Sequence, residues 1–288
     1  MELDGLRILP PLRSLSRMEL RAAVNRGAVR IEDGYLIPVI KGGSIVASDL
    51  VFYNSAAMTT DSTTTTGGAI DTLRRPDFTQ MSANDTVRVV SSAAGDTTQT
   101  LSITGRKADG SLASETLNLN GTTVVTSSNT YERLLKAELS ATCAGTVTVA
   151  RTTGPTTIRV IPIGERGFQA MFQQLASATG SITNWYEKIF VKNTNGSLAL
   201  TSATVLINSD PQSVFTFGLP STLDDTATTT NRTTAPAGIT FNTSTKNVAN
   251  SGSLSSGSAQ GIWMDLTLAA ANAALKSTVT LEVDGNTT

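Results

Sequence analysis

Between residues 85 and 151 the chain alternates apolar and polar positions with a period of two. In "QTLSITG", Leu101 and Ile103 fall on one side of an extended chain, and Thr100, Ser102 and Thr104 on the other. "SETLNLNG" repeats the pattern with Leu117 and Leu119, "GTVTVAR" with Val147 and Val149, and "DTVRVVSS" reads as a further strand. Such segments predict antiparallel sheet with one dry and one wet face, and threonine suits the wet face because it is β-branched yet polar. Asp109-Gly110, Asn120-Gly121 and Asn195-Gly196 are hairpin signals, since both residues tolerate the positive φ that tight turns need. Farther on, "WYEKIFVKN", "SATVLIN", "SVFTFGL", "GITF", "IWMDLTL" and "TVTLEV" are strand candidates, a number and rhythm that match an immunoglobulin-like sandwich. The segments "STLDDTATTTNRTTAPAG" and "NSGSLSSGSAQG" between them read as long surface loops.

Two segments carry a helical period instead. In "GERGFQAMFQQLASA", Phe168, Met171, Phe172 and Leu175 fall at i, i+3, i+4 and i+7, which predicts an amphipathic helix. In "LSRMELRAAVNRG", Ser16 and Glu19 have capping-box spacing, Leu15 and Leu20 take the staple positions, and Gly27 is placed to end the helix. Asp33-Gly34 then joins two β-rich runs and predicts a hairpin. Upstream, Pro10-Pro11 forbids helix and favours an extended arm. The arm carries Ile8, Leu9 and Leu12, and the following helix carries Leu20, Arg21 and Val24. Together with Pro10 and Pro11 these residues are the candidate subunit-docking set.

Composition changes near residue 45: the first fifty residues contain no threonine, and threonine is abundant after that. The expected organisation is therefore an arm over 1–45, a first β-sandwich over 46–178 with a closing helix, and a second, immunoglobulin-like sandwich over 179–288. The fold class is all-β: two antiparallel sandwiches behind a short helix-hairpin arm.

Chemistry is sparse. The 288 residues include no histidine, which removes the usual general base and the commonest transition-metal ligand. The single cysteine, Cys143, permits no internal disulfide and reads as a small buried hydrophobe. Twenty-two basic residues against 23 acidic leave a net charge of −1 and no electrostatic reason to expect direct nucleic-acid binding. No stretch is apolar enough for a membrane helix, and the first residues do not read as a signal peptide. Asp224-Asp225 is an adjacent acidic pair that a calcium site could use, but without further acids at alternate positions a solvated loop is expected. Trp185, Tyr186 and Trp263 would suit a sugar-binding platform, against which core packing is the favoured reading of the tryptophans. No catalytic, metal or cofactor residue is expected.

The segments "GGAID", "ANDTVRVVSS" and "QTLSITGRKADGSLASETLNLNGTTVV" resemble structural proteins of tailed bacteriophages. "WYEKIFVKNTNGSLALTSATV", "DDTATTTNRTTAPAGITF" and "GIWMDLTLAAANA" are similar to the downstream half of the same proteins, so the likeness spans about residues 50 to 288. The resemblance implies a non-enzymatic, head-associated decoration or cement protein. Its partners would be the major capsid protein or other virion proteins. It would form a homo-oligomer such as a trimer and sit on the virion surface after synthesis in the bacterial cytoplasm. Neck, tail or head-fibre components share the same sandwich vocabulary. A carbohydrate-binding adhesin contacting a host glycan through loops 221–238 and 249–261, or a carboxylate-based glycan-cleaving enzyme, are readings of other classes.

Overall fold

The computed structural model describes residues 44–173, 175, 180–271 and 278–287, and the backbone of three short strands before them. Two compact units result, Met1–Ser44 (with Thr288) and Ile45–Thr287. In the first, β1 (Arg7–Ile8), β2 (Val29–Glu32) and β3 (Tyr35–Pro38) form a sheet in the order β1-β3-β2. Strands β2 and β3 run antiparallel with Glu32 opposite Tyr35, the pairing expected around Asp33-Gly34. Strand β1 lies parallel to β3 and carries Ile8. The helix expected over 16–27, and Leu9, Pro10, Pro11, Leu12, Leu20, Arg21 and Val24, lie outside the described residues.

The second unit opens with β4 (Leu50–Ala57) and β5 (Thr66–Asp71). Nine strands follow: β6 (Arg74–Arg75), β7 (Asp85–Ser91), β8 (Thr100–Arg106), β9 (Leu112–Asn118), β10 (Val125–Tyr131), β11 (Arg133–Leu139), β12 (Val147–Arg151), β13 (Thr157–Ile161) and β14 (Gly167–Gln169). They make a four-stranded sheet, β10-β7-β12-β13, and a five-stranded sheet, β6-β14-β11-β8-β9. The two sheets share one core, so the arrangement is sandwich-like. The alternating pattern sets its inner face: Val87, Val89, Leu101, Ile103, Val147 and Val149 are all 0% exposed. Burial of each such side chain contributes about 1.5–3 kcal/mol. On the outer face Thr104 and Ser114 hydrogen-bond across the β8–β9 pair at 3.1 Å.

The remaining strands are β15 (Thr183–Asn193), β16 (Leu200–Ser209), β17 (Phe215–Gly218), β18 (Thr228–Thr229), β19 (Lys246–Asn247), β20 (Ala259–Leu268) and β21 (Thr280–Thr287). With β4 and β5 they build a six-stranded sheet, β17-β20-β15-β4-β5-β18, over a three-stranded sheet, β19-β16-β21. Trp185, Ile189, Val191, Ile262, Met264 and Leu266 of the larger sheet meet Ala203 and Val205 of the smaller in a second core. The expected cut at 179 places residues 50–71 with the first sandwich. The backbone of β4 instead pairs with β15, Asn54 opposite Ile189 and Phe52 opposite Val191, and β5 pairs with β4. The chain thus starts one sandwich, builds the other, and returns. Composition cannot reveal this, because strand pairing is non-local.

Among the described residues of this segment, 167–173 and 175, the helix expected from Phe168 to Leu175 is not formed. Gly167–Gln169 is strand β14, antiparallel to β11 with Phe168 opposite Ala137. A side chain at Gly167 would place its Cβ 2.0 Å from the Ala137 carbonyl oxygen, so glycine is required there. Phe172 has φ +53, outside the right-handed helical region. The apolar residues serve two cores: Phe168 is buried in the first, whereas Met171, Phe172 and Leu175 pack on the second. Their helical spacing is that of a connector anchored at both ends.

The turn signals also divide. Asp109-Gly110 closes the β8–β9 hairpin, with the Asp109 carboxylate accepting from the Ser111 amide at 2.9 Å. Asn120-Gly121 instead carries the chain from β9 in one sheet to β10 in the other, and Asn195-Gly196 does the same between β15 and β16. Gly121 has φ +55, and a Cβ there would lie 2.5 Å from the Ala94 carbonyl oxygen.

Candidate functional site

The outer face of the six-stranded sheet is covered. Strands β15 and β20 are buried on both sides, and residues 219–245 lie across them as a strap that keeps the exposed outer side expected of a surface loop but anchors Thr229, Arg232 and Pro236 inside. The strap is held by two adjacent charged residues in the middle of β15, Glu187 and Lys188, whose side chains project to opposite faces. Both are buried, at 2% and 0% exposed.

On the core side, the Arg232 guanidinium pairs with Glu187 and lies 5.4 Å from the Trp185 ring centre. Arg232 is 0% exposed and also donates to the carbonyls of Thr60 at 3.2 Å and Gln173 at 3.0 Å. The second Glu187 oxygen accepts from the Phe172 amide at 2.7 Å. Burial pushes the Glu187 carboxyl above its usual range, and the Arg232 charge opposes the shift. The Tyr186 amide donates to the Arg232 carbonyl at 2.7 Å, so the strap also bonds to the β15 backbone.

On the strap side, the Lys188 ammonium meets the Asp225 carboxylate and the carbonyl oxygens of Gly68 and Asp225, both at 3.0 Å. Asp224 accepts from the Ala259 amide at 2.9 Å. Asp225 is therefore committed to Lys188, whereas Asp224 remains exposed, as a solvated loop would have it, while anchoring its loop to the start of β20. Charges enclosed in this way are tolerated only when paired and hydrogen-bonded.

A second polar cluster joins the two sandwiches. The Gln169 side chain donates to the Met58 carbonyl at 2.9 Å and accepts from Arg74 at 2.9 Å, while its own carbonyl accepts from Asn54 at 3.1 Å. Beside it Arg75 pairs with Glu165 and stacks over Tyr53, 5.0 Å from the ring centre.

A third cluster ties loops at one end of the first sandwich. The Asp96 carboxylate, 1% exposed, accepts from the Ser91 hydroxyl at 2.5 Å and from the amides of Ala144 at 2.9 Å and Gly145 at 3.1 Å. The Ser91 hydroxyl bond foremost, then the Ala144 amide, holds this carboxyl below its usual value of 3.8. Cys143 sits beside it in the core, as expected of a small hydrophobe, its thiol pushed up to about 11 by burial and then by the Asp96 charge. A carboxyl lowered in the folded state stabilises above its unfolded pKa, and that contribution is lost as pH falls through the folded value. Asp96→Ala is expected to cost about 1–3 kcal/mol, because three donors lose their acceptor. Urea unfolding followed from neutral pH downward should show the variant losing less stability on acidification than the parent. Parallel pH dependences would remove Asp96 from the account.

Among the described residues no group of three or more Cys, Asp or Glu is placed to hold a metal ion. No helix there is long and apolar enough to cross a membrane. Trp185 is 6% exposed and Trp263 is 0% exposed, so neither ring is offered as a sugar platform. The loop over 249–261 is likewise anchored: Leu254 is 0% exposed and bridges to Leu200. Sequence reasoning missed Glu187, Lys188 and Arg232 as structural centres. The signal available was a charged Glu-Lys pair inside the aromatic strand "WYEKIFV", where a half-exposed strand would place at most one of the two in the dry face. Comparison with protein-family models, curated proteins and solved structures finds no match to this chain.

Proposed function

We infer that the chain is a non-enzymatic structural protein of a tailed-phage virion, a decoration or cement protein that binds and bridges capsid subunits. The observation that carries this reading is how the buried charges are used. Asp96, Glu165, Glu187, Lys188 and Arg232 are each held by partners within the chain, and they tie straps, loops and sandwiches into one unit. Such an arrangement suits a component that must stay rigid under load. In this reading the sandwich of β15–β21 with β4 and β5 is an immunoglobulin-like module. The separate Met1–Ser44 unit, with Ile8 on its sheet, is the docking segment for the major capsid protein or a second copy. A standard interface of about 1,600 Å² repeated over a shell reinforces it without catalysis. A small closed oligomer, such as a trimer, accords with the closed point-group symmetry that most homo-oligomers adopt.

The test is the abundance of the chain in purified particles, by quantitative mass spectrometry against the major capsid protein. Copy numbers comparable with the capsid protein support decoration. A few copies per particle would place it in the neck, tail or head fibres instead. Absence from particles would overturn the virion assignment.

A further inference from the structure

The Lys188–Asp225 contact has features that an ordinary structural ion pair does not need. The lysine lies mid-strand, 0% exposed, with its Nζ 4.8 Å from the Phe190 ring centre and 5.6 Å from that of Trp263. Its stem runs over Gly261, where an added Cβ would lie 3.0 Å from the Lys188 Cε. The Asp225 carboxylate abuts the amine, and its side chain keeps 14% exposure toward solvent. The remaining amine hydrogens face the backbone carbonyls of Gly68 and Asp225 at 3.0 Å and of Ala227 at 3.3 Å. A nucleophile and an acyl carbon are thus held together beside two aromatic rings, in an orientation set by three fixed carbonyls. Preorganisation of this kind replaces an improbable encounter with a unimolecular step.

The geometry points to a covalent fate for the pair: Lys188 and Asp225 condense into an intramolecular isopeptide bond that staples the strap to strand β15. The step needs no co-reactant. A proton passes from the ammonium to the carboxylate, giving a neutral amine and a carboxylic acid. The amine lone pair forms the Nζ–Cγ bond, the Cγ–OH bond breaks, and the hydroxyl leaves with one amine proton as water. Nothing is oxidised or reduced. The water has a route out along the exposed edge of Asp225, and the amide N–H that remains can keep a bond to one of the three carbonyls. Burial already pulls the Lys188 ammonium below the usual lysine range, against the opposing pull of Asp225, which favours the neutral amine at the start of the sequence. Condensation also replaces a dehydrated charge pair with a neutral, hydrogen-bonded amide, removing the penalty that buried charges carry. The resulting cross-link joins residues 37 positions apart and would restrict the unfolded chain as a disulfide does, in a protein with one cysteine.

The experiment is intact mass measurement of the purified full-length chain under denaturing conditions, followed by tryptic mapping. The expected mass is that of the sequence less one water molecule, with a branched peptide joining the Lys188 and Asp225 segments and no cleavage after Lys188. Lys188→Met and Asp225→Ala should each restore the full mass for their sequences. An unmodified wild-type mass with normal cleavage after Lys188 overturns the proposal. So does a water deficit that survives in both variants, because succinimide formation at an Asp-Gly site such as Asp109-Gly110 loses the same mass. The wild-type map is decisive even if a variant fails to fold.

Discussion

Arg232→Met is expected to lower the stability of the Ile45–Thr287 unit by about 3–5 kcal/mol, the cost of leaving a buried charge without its partner. The mutant Met would fill part of the space over Trp185, but Glu187 would keep a single amide donor, Phe172, inside the second core. The carbonyls of Thr60 and Gln173 would lose their donor as well. The damage should be pH-dependent in a definite direction. Without Arg232, burial raises the Glu187 carboxyl further above its unfolded value of 4.5. A carboxyl raised on folding binds more protons in the folded state, so the deficit should shrink as pH falls toward that value and grow above it. Replacing both partners, Arg232→Met with Glu187→Leu, should recover much of the loss, since two apolar groups of similar shape remove the need for the pair. Denaturant unfolding of the single and double variants at two pH values checks all three expectations. A loss under about 1 kcal/mol for Arg232→Met would mean that the strap is held by backbone bonds and not by the buried guanidinium.

Phe168→Ala is the second large effect, expected at about 3–5 kcal/mol for deleting a fully buried aromatic ring. Phe168 is 0% exposed in the first core and stacks on Phe78 with ring centres 4.4 Å apart. Phe172→Ala, four residues on, should cost clearly less, because Phe172 is only partly buried and packs on the other core, 5.8 Å from Phe215. The comparison tests the connector directly. Were residues 168–175 one helical stripe on one core, the two substitutions would cost similar amounts. The two variants should also weaken different sandwiches, visible as protection lost from β8 and β11 in the first case and from β15 and β20 in the second by hydrogen exchange.

That contrast shows where local pattern was sufficient. The alternation in "QTLSITG", "GTVTVAR" and "DTVRVVSS" assigned strand, face and burial correctly, because a period of two has one physical reading when one side must be dry. The Asp109-Gly110 hairpin was legible for the same reason, since the turn brings back the strand that pairs. At Asn120-Gly121 and Asn195-Gly196 the same signal marked a reversal that crosses to the facing sheet. A turn residue reports local backbone conformation, and the sheet its next strand joins depends on partners elsewhere in the chain. At Phe168, Met171, Phe172 and Leu175 the helical spacing has another cause, since two cores flank the segment and each takes its own apolar residues.

The candidate site was the least legible part. Asp224-Asp225 and the threonine-rich segment after it have the composition of a solvated loop, and nothing local distinguishes a loop from a strap. The distinction rests on Lys188 and Glu187, 37 and 45 residues from their partners. By itself the sequence determined that this is an all-β chain with dry and wet faces, tight turns, no histidine chemistry and a buried Cys143, since each of these follows from residue type and nearest-neighbour pattern. Only the tertiary structure decided that β4 and β5 belong with β15, that residues 167–175 bridge two cores, and that two buried charges clamp residues 219–245 to the sheet. Those outcomes depend on contacts between residues far apart in the chain, and their energy comes from excluding water around both partners at once, which neither segment can do alone.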